Sequence, residues 1–291
     1  MTDAAAAGTW TIGDRVVNRM GFGSMRITAN PDTGVAIRVL RRAVELGVDH
    51  LDTAAFYCSP GGIIDVGPGP VRHATDLIRK ALTPYANRVL IATKVGPKRL
   101  PDGSWGFGGL REQVEENLRR LGVETLDLVN LRITRRDADI TEWFGELAAM
   151  RDEGLIRHLG LSNITPGHLD VASRIAPVAC VQNAYALDVR RDEELLRVCG
   201  ARGIAFVPFF AIAGGRREAG ATASPEAGVL GVARRHGVSE HQVRLAWTLH
   251  QGPHVLAIPG TGDPAHLEQN IAAAAVHLDK DDLAAIDQSA R

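Results

Sequence analysis

The chain has 291 residues, 45% of them hydrophobic and 23% charged, and its formal net charge is −1. A chain this long buries most of its unfolded surface, and its scattered, balanced charge excludes a basic nucleic-acid arm or a polybasic membrane patch. Its 3 cysteines, Cys58, Cys180 and Cys199, are an odd number without metal-site spacing, which predicts a reducing compartment, no disulfide framework and no metal centre.

The N-terminus has neither the basic region nor the long apolar run of a signal peptide, and no stretch approaches the ~20 apolar residues of a membrane span. A cytoplasmic protein is expected. Thr9 to Ile12 and Val16-Val17 flank Gly13-Asp14 and read as a small hairpin. Gly21-Phe22-Gly23-Ser24-Met25 follows as a first strand and its mouth. Asp32 to Glu45 has apolar residues at helical spacing, and Gly47 ends it. A short buried strand then delivers Asp52, with Tyr57 in the loop beyond it.

The stretch from Cys58 to Pro70 carries four glycines and three prolines and predicts an irregular, folded-back loop beside the reacting centre. A helix from about Val71 to Leu82 leads to Val89-Leu90-Ile91-Ala92-Thr93-Lys94, an apolar strand that ends in a lysine. A Gly-rich loop with Trp105 and Phe107 precedes a helix near Leu110–Leu121. Strands ending at Arg132, Ser162-Asn163, Gln182-Asn183 and Phe210 alternate with helices near 140–153, 166–174 and 192–201. Two helices, near 225–236 and 239–251, precede a last strand, Val255 to Ile258. Eight strands alternating with helices predict one parallel sheet closed as a (β/α)8 barrel, an α/β fold in which polar residues gather at the C-terminal strand ends. The whole chain, 1–291, is expected to be one domain.

A lysine on an interior strand needs a partner. Asp52, Tyr57 and Lys94 at successive strand ends suggest a phenol acidified by an ammonium, with the carboxylate holding that ammonium in place. A free phenol ionises near pH 10, and a neighbouring cation lowers that value.

Asp52-Thr53-Ala54 with Tyr57, Ala92-Thr93-Lys94, Gly160-Leu161-Ser162-Asn163, Gln182-Asn183 and Ile258-Pro259-Gly260-Thr261 followed by Asn270 span nearly the whole chain in order. Together they resemble the aldo-keto reductases, most of all a bacterial pyridoxal reductase-like subgroup. The resemblance implies reduction of a carbonyl by a nicotinamide, with Asp52, Tyr57 and Lys94 catalytic and Tyr57 the general acid. It places Arg132 where the family usually has histidine, as a fixed hydrogen-bond donor that cannot relay a proton. It sets Ser162, Asn163 and Gln182 against the nicotinamide carboxamide and Phe209 against its ring. Ser24 and Met25 join the cofactor site, and Gly214 and Gly215 let the backbone approach the pyrophosphate. Gly260, Thr261, His266, Gln269 and Asn270 belong to the adenosine end, behind an Asp263 N-cap and Pro264. Gly260 replaces a common lysine there and His266 a common arginine; NADPH is favoured, with NADH as the alternative. The implied substrate is a small-molecule aldehyde or ketone, pyridoxal among them, and the implied assembly is a monomer or weak homo-oligomer. A second class remains open: a nicotinamide-binding sensor or regulatory subunit with little turnover.

Overall fold

Seven parallel strands form one curled sheet. In chain order they are β3 (Phe22–Gly23), β4 (His50–Asp52), β7 (Leu90–Val95), β10 (Leu126–Arg132), β11 (Ile156–Ser162), β12 (Val178–Gln182) and β13 (Ala205–Phe206). Residues 255–257 close the gap between the two edges: Val255 bridges to Phe206 and Ala257 to Met20, both in parallel. The result is the eight-stranded barrel read from the sequence, with its eighth position held by single bridges rather than a regular strand. The computed structural model describes residues 3–85, 89–209, 211 and 226–289.

The predicted hairpin pairs β1 (Thr9–Ile12) with β2 (Arg15–Asn18) and plugs one end of the barrel. Ile12 and Val17 pack into the interior with Leu90, Ala92, Leu128, Cys180, Ala205, Val207 and Leu256. A larger apolar layer lies between the strands and the surrounding helices, α1 (Thr33–Glu45), α2 (Ala74–Leu82), α3 (Leu110–Leu121), α4 (Thr141–Asp152), α5 (Pro166–Ile175), α6 (Glu193–Ala201), α7 (Ala227–His236), α8 (Glu240–His250), α9 (Pro264–Ala272) and α10 (Lys280–Ser289). Local chemistry sets the helix ends. Asp32 caps α1 by accepting from the Gly34 N–H at 2.8 Å, Thr165 and His168 form a reciprocal capping box on α5, and Ser239 and Gln242 do the same on α8. Helix α3 stops at Gly122, which takes the left-handed conformation.

Two segments differ from the sequence reading. The stretch after Tyr57 opens and closes with a two-stranded ribbon, β5 (Cys58–Ser59) against β6 (Arg72–His73), so α2 begins at Ala74 rather than near Val71. The loop inside the ribbon is folded back, with Ile64 buried and Val66 exposed. Arg72, itself buried, holds the loop by donating to the carbonyls of Thr28 at 2.9 Å, Pro68 and Pro70 at 3.0 Å each, and Val66 at 3.4 Å. The Gly-rich stretch after Lys94 forms a second hairpin, β8 (Pro97–Arg99) with β9 (Trp105–Phe107). Arg99 stacks on Trp105 and donates to the Gly61 carbonyl at 3.2 Å, joining the hairpin to the loop.

Candidate active site

Side chains alternate along a strand, so the residues of β4 and β7 that enter the barrel are His50 and Asp52, and Leu90, Ala92 and Lys94. Lys94 Nζ donates to both Asp52 carboxylate oxygens, each at 2.6 Å, and to the Thr53 carbonyl at 3.1 Å. The Lys94 and Asp52 side chains are only 2% and 5% exposed. Burial works against the charge on Lys94, but Asp52 and the Tyr57 phenol outweigh it and hold the ammonium above the usual lysine range.

Tyr57 follows a tight turn in which its N–H donates to the Ala54 carbonyl at 3.0 Å, while its own carbonyl accepts from Ala74 at the start of α2 at 2.8 Å. That turn brings the ring to Lys94, whose Nζ lies 4.7 Å from the ring centroid. Phe56 meets Tyr57 edge-on at 5.3 Å, and Trp105 meets Phe56 edge-on at 6.3 Å. The three residues expected from the strand ends therefore meet, inside an aromatic wall that the hairpin completes.

Gln182, at the end of β12, joins this cluster. Its Nε2 donates to Asp52 Oδ1 at 2.7 Å, and its Oε1 is buried without a partner. The sequence reading gave this amide to the cofactor; in the fold its donor end is committed to the carboxylate. Arg132 donates to Ser162 Oγ at 3.1 Å, and its guanidinium lies 4.9 Å over the Phe209 ring. Among the described residues no carboxylate pairs with it. Asn163 has φ of +63°, the one non-glycine residue in that region among those described, and its Nδ2 donates to the Ile133 carbonyl at 2.9 Å.

A supporting network joins residues with no shared signature in the sequence. Asn183 donates to Asp192 Oδ2 at 3.0 Å and to the Ile164 carbonyl at 2.8 Å, and accepts from the Ile164 N–H at 3.0 Å. Arg136 grips the same carboxylate at 2.6 Å. These bonds tie together the loops that follow β10, β11 and β12. Asn183 belongs to the Gln182-Asn183 motif, whereas Arg136 and Asp192 carry no local sequence signal. Beyond Arg132 a cavity of about 430 Å³ opens, lined by Phe107, Ile133, Thr134, Arg135, Ala138, Asp139 and Trp143. None of the expected site residues lines it.

The residues expected at the dinucleotide fit such a group. Ser24 Oγ, like Gln182 Oε1, is buried without a partner. Met25 begins a short 3-10 turn beside it. A Cβ on Gly260 would fall 2.4 Å from the Gly23 carbonyl oxygen, and one on Gly23 2.7 Å from that of Ile258, so this close backbone approach requires glycine at both positions. Thr261 and Asn270 are buried, while His266 and Gln269 are exposed on α9. Asp263 caps α9 as expected, accepting from Ala265 at 2.7 Å and His266 at 3.0 Å, and the His266 N–H bond leads the causes that lower its carboxyl pKa. The carboxylate thus takes up donors at the helix start that a phosphate would otherwise use. Gly214 and Gly215 lie outside the described residues. No helix among the described residues is long and apolar enough to cross a membrane.

The chain and its fold have counterparts among known proteins. The model of the aldo/keto reductase family matches residues 19–291, and the chain belongs to that family. Pyridoxine 4-dehydrogenase of Escherichia coli (strain K12) is 39% identical over 304 residues, covering 98% of this chain and 99% of that protein. Among solved structures, an aldo/keto reductase from Klebsiella pneumoniae in complex with NADP and acetate is 26% identical, with a TM-score of 0.79 over 96% of this chain and 94% of its own. The glycerol dehydrogenase of Gluconobacter oxydans is 24% identical and superposes with a TM-score of 0.81 over 97% and 95% of the two chains, a likeness of fold.

Proposed function

We propose that this protein reduces an aldehyde or ketone to the alcohol with NADPH, and that Tyr57 is the proton donor. The observation that carries the reading is the Lys94 ammonium, fixed by both Asp52 oxygens and set 4.7 Å from the Tyr57 ring centroid. When bound, NADPH supplies the hydride that forms the new C–H bond and is left as NADP⁺. Tyr57 gives its phenolic proton to the carbonyl oxygen, forming the O–H bond. The phenolate left behind faces an ammonium that stays charged, which stabilises it. Arg132 supplies fixed N–H donors toward the developing oxyanion. Ser24, Ser162, Asn163, Phe209, Gly260, Thr261, His266, Gln269 and Asn270 are the residues that would hold the dinucleotide. A complex with NADP in the Klebsiella relative supports that choice of cofactor.

The substrate we favour is pyridoxal or a related aromatic aldehyde. Phe56 and Trp105 offer flat apolar surface near Tyr57, and Arg132 offers a charge for a ring oxygen beside the aldehyde. The name of the Escherichia coli relative agrees with that chemistry. Tyr57→Phe should lose at least ~10²-fold in turnover across an aldehyde panel that includes pyridoxal, while still binding NADPH. Near-normal turnover in that variant removes Tyr57 from the mechanism.

A further inference from the structure

Gln182 holds the carboxylate that holds the lysine. Asp52 Oδ1 accepts from Gln182 Nε2 at 2.7 Å and from Lys94 Nζ at 2.6 Å, so the amide and the ammonium share one oxygen. The bond fixes which way the amide faces, because its carbonyl end would be repelled by the carboxylate. Gln182 is 1% exposed and Asp52 is 4% exposed, so water does not compete for either. Asp52 and Gln182 belong to β4 and β12, which are not neighbours in the sheet; the bond crosses the barrel interior.

We infer that Gln182 is a positioning residue for the reduction: its donor end orients Asp52 so that Lys94 is held under Tyr57, and its carbonyl end is left for the cofactor. This rests on the proposed role of Tyr57 and Lys94. A hydrogen bond to a buried charged group is among the stronger ones, and it acts here on the group that fixes the ammonium. The charged and titratable groups around the bond are Lys94 and Tyr57, with Cys180 one inward-facing position earlier on β12. Burial, and secondarily the charge of Asp52, pushes the Cys180 thiol far up, so it stays neutral.

Two variants and two measurements test the assignment. Gln182→Met keeps the bulk and removes the donor. Its kcat at saturating NADPH should fall about tenfold or more, the scale of one hydrogen bond to a charged group. Gln182→Glu restores a donor only while its carboxyl is protonated, and beside Asp52 a second carboxyl keeps its proton to unusually high pH. That variant should therefore approach the parent rate in mild acid and fall away as pH rises, a profile that Gln182→Met does not share. The ¹⁵N signal of the Lys94 ammonium, followed by NMR without cofactor, should shift in Gln182→Met. An unmoved Lys94 signal, or a kcat left intact at saturating NADPH, overturns the inference and leaves Gln182 to the cofactor alone. If Tyr57→Phe turns over normally, the reading of Tyr57 fails, whereas the Lys94 signal still reports whether Gln182 governs the buried pair.

Discussion

Two layers of the barrel interior handle buried polarity in opposite ways. At the mouth, Asp52, Lys94 and Gln182 are buried and bonded to one another at 2.6–2.7 Å. Among the neighbouring inward-facing residues, His50 and Asn130 are also buried, yet both amide atoms of Asn130 lack a partner and neither His50 ring nitrogen makes a hydrogen bond of normal geometry, the Asn18 backbone only approaching the ring. His50 packs so close to Gly21 that a Cβ there would fall 2.2 Å from Nε2. The difference follows from charge. An unpaired buried ion costs several kcal/mol, whereas a neutral polar group costs roughly 1–3 kcal/mol. His50 avoids the larger penalty by staying neutral: burial pushes its pKa down to about 4. The mouth must keep the buried Asp52 and Lys94 ions, so it supplies both with partners.

Breaking the mouth should have the largest effect. Lys94→Met leaves Asp52 buried without its cation, so unfolding in urea should reveal a loss of about 3–5 kcal/mol and turnover should fall by ~10²–10⁴-fold. A change confined to KM, with kcat and stability intact, would mean that Lys94 only helps to hold substrate. Next in size is Arg132, the mouth cation that no described carboxylate pairs. Arg132→Met should slow kcat/KM by ~10²–10³-fold, and more for pyridoxal than for benzaldehyde because an ion pair goes as well as a donor. Parent-like rates on both aldehydes would make this residue a rim contact. The smallest effect belongs to the other layer, and it is one of stability. The ordinary pKa of 6.5 for histidine falls to about 4 in folded His50. Between those values the unfolded chain takes up a proton that the folded chain refuses, so stability is fully present above about pH 6.5 and is lost as pH falls toward 4. The loss amounts to about 3 kcal/mol. His50→Leu should lose about that much less than the parent between pH 7 and pH 4 in denaturant titrations; parallel curves for the two proteins would show that His50 does not carry this term.

The parts legible in the sequence were those with a local signal. Helix α1 lies where its apolar spacing and Gly47 place it. The Asp52–Lys94 pair was legible because a lysine at the end of an apolar strand demands a carboxylate. The ribbon of β5 and β6 was not, since each strand is two residues long and their pairing joins the ends of a loop rich in glycine and proline. The third acceptor of Lys94 is the Thr53 carbonyl, and a backbone oxygen has no residue type to announce it. The Gln182–Asp52 bond joins residues 130 positions apart, and only closure of the barrel brings them together. The β8–β9 hairpin was hidden for a related reason: its glycines and Trp105 read as loop, whereas the hairpin packs through Phe56 and Arg99.

Arg72 binds the loop after Tyr57 through four main-chain oxygens, those of Thr28, Val66, Pro68 and Pro70. Every amino acid carries such an oxygen. The frame of the loop is therefore indifferent to most of the side chains it displays, so long as the backbone keeps its path. Exposed positions such as Val66 can be exchanged without loosening the clasp, while Tyr57, Lys94 and Asp52 stay where they are. A lineage of this fold can in this way vary the loop one surface residue at a time, with its backbone frame held constant.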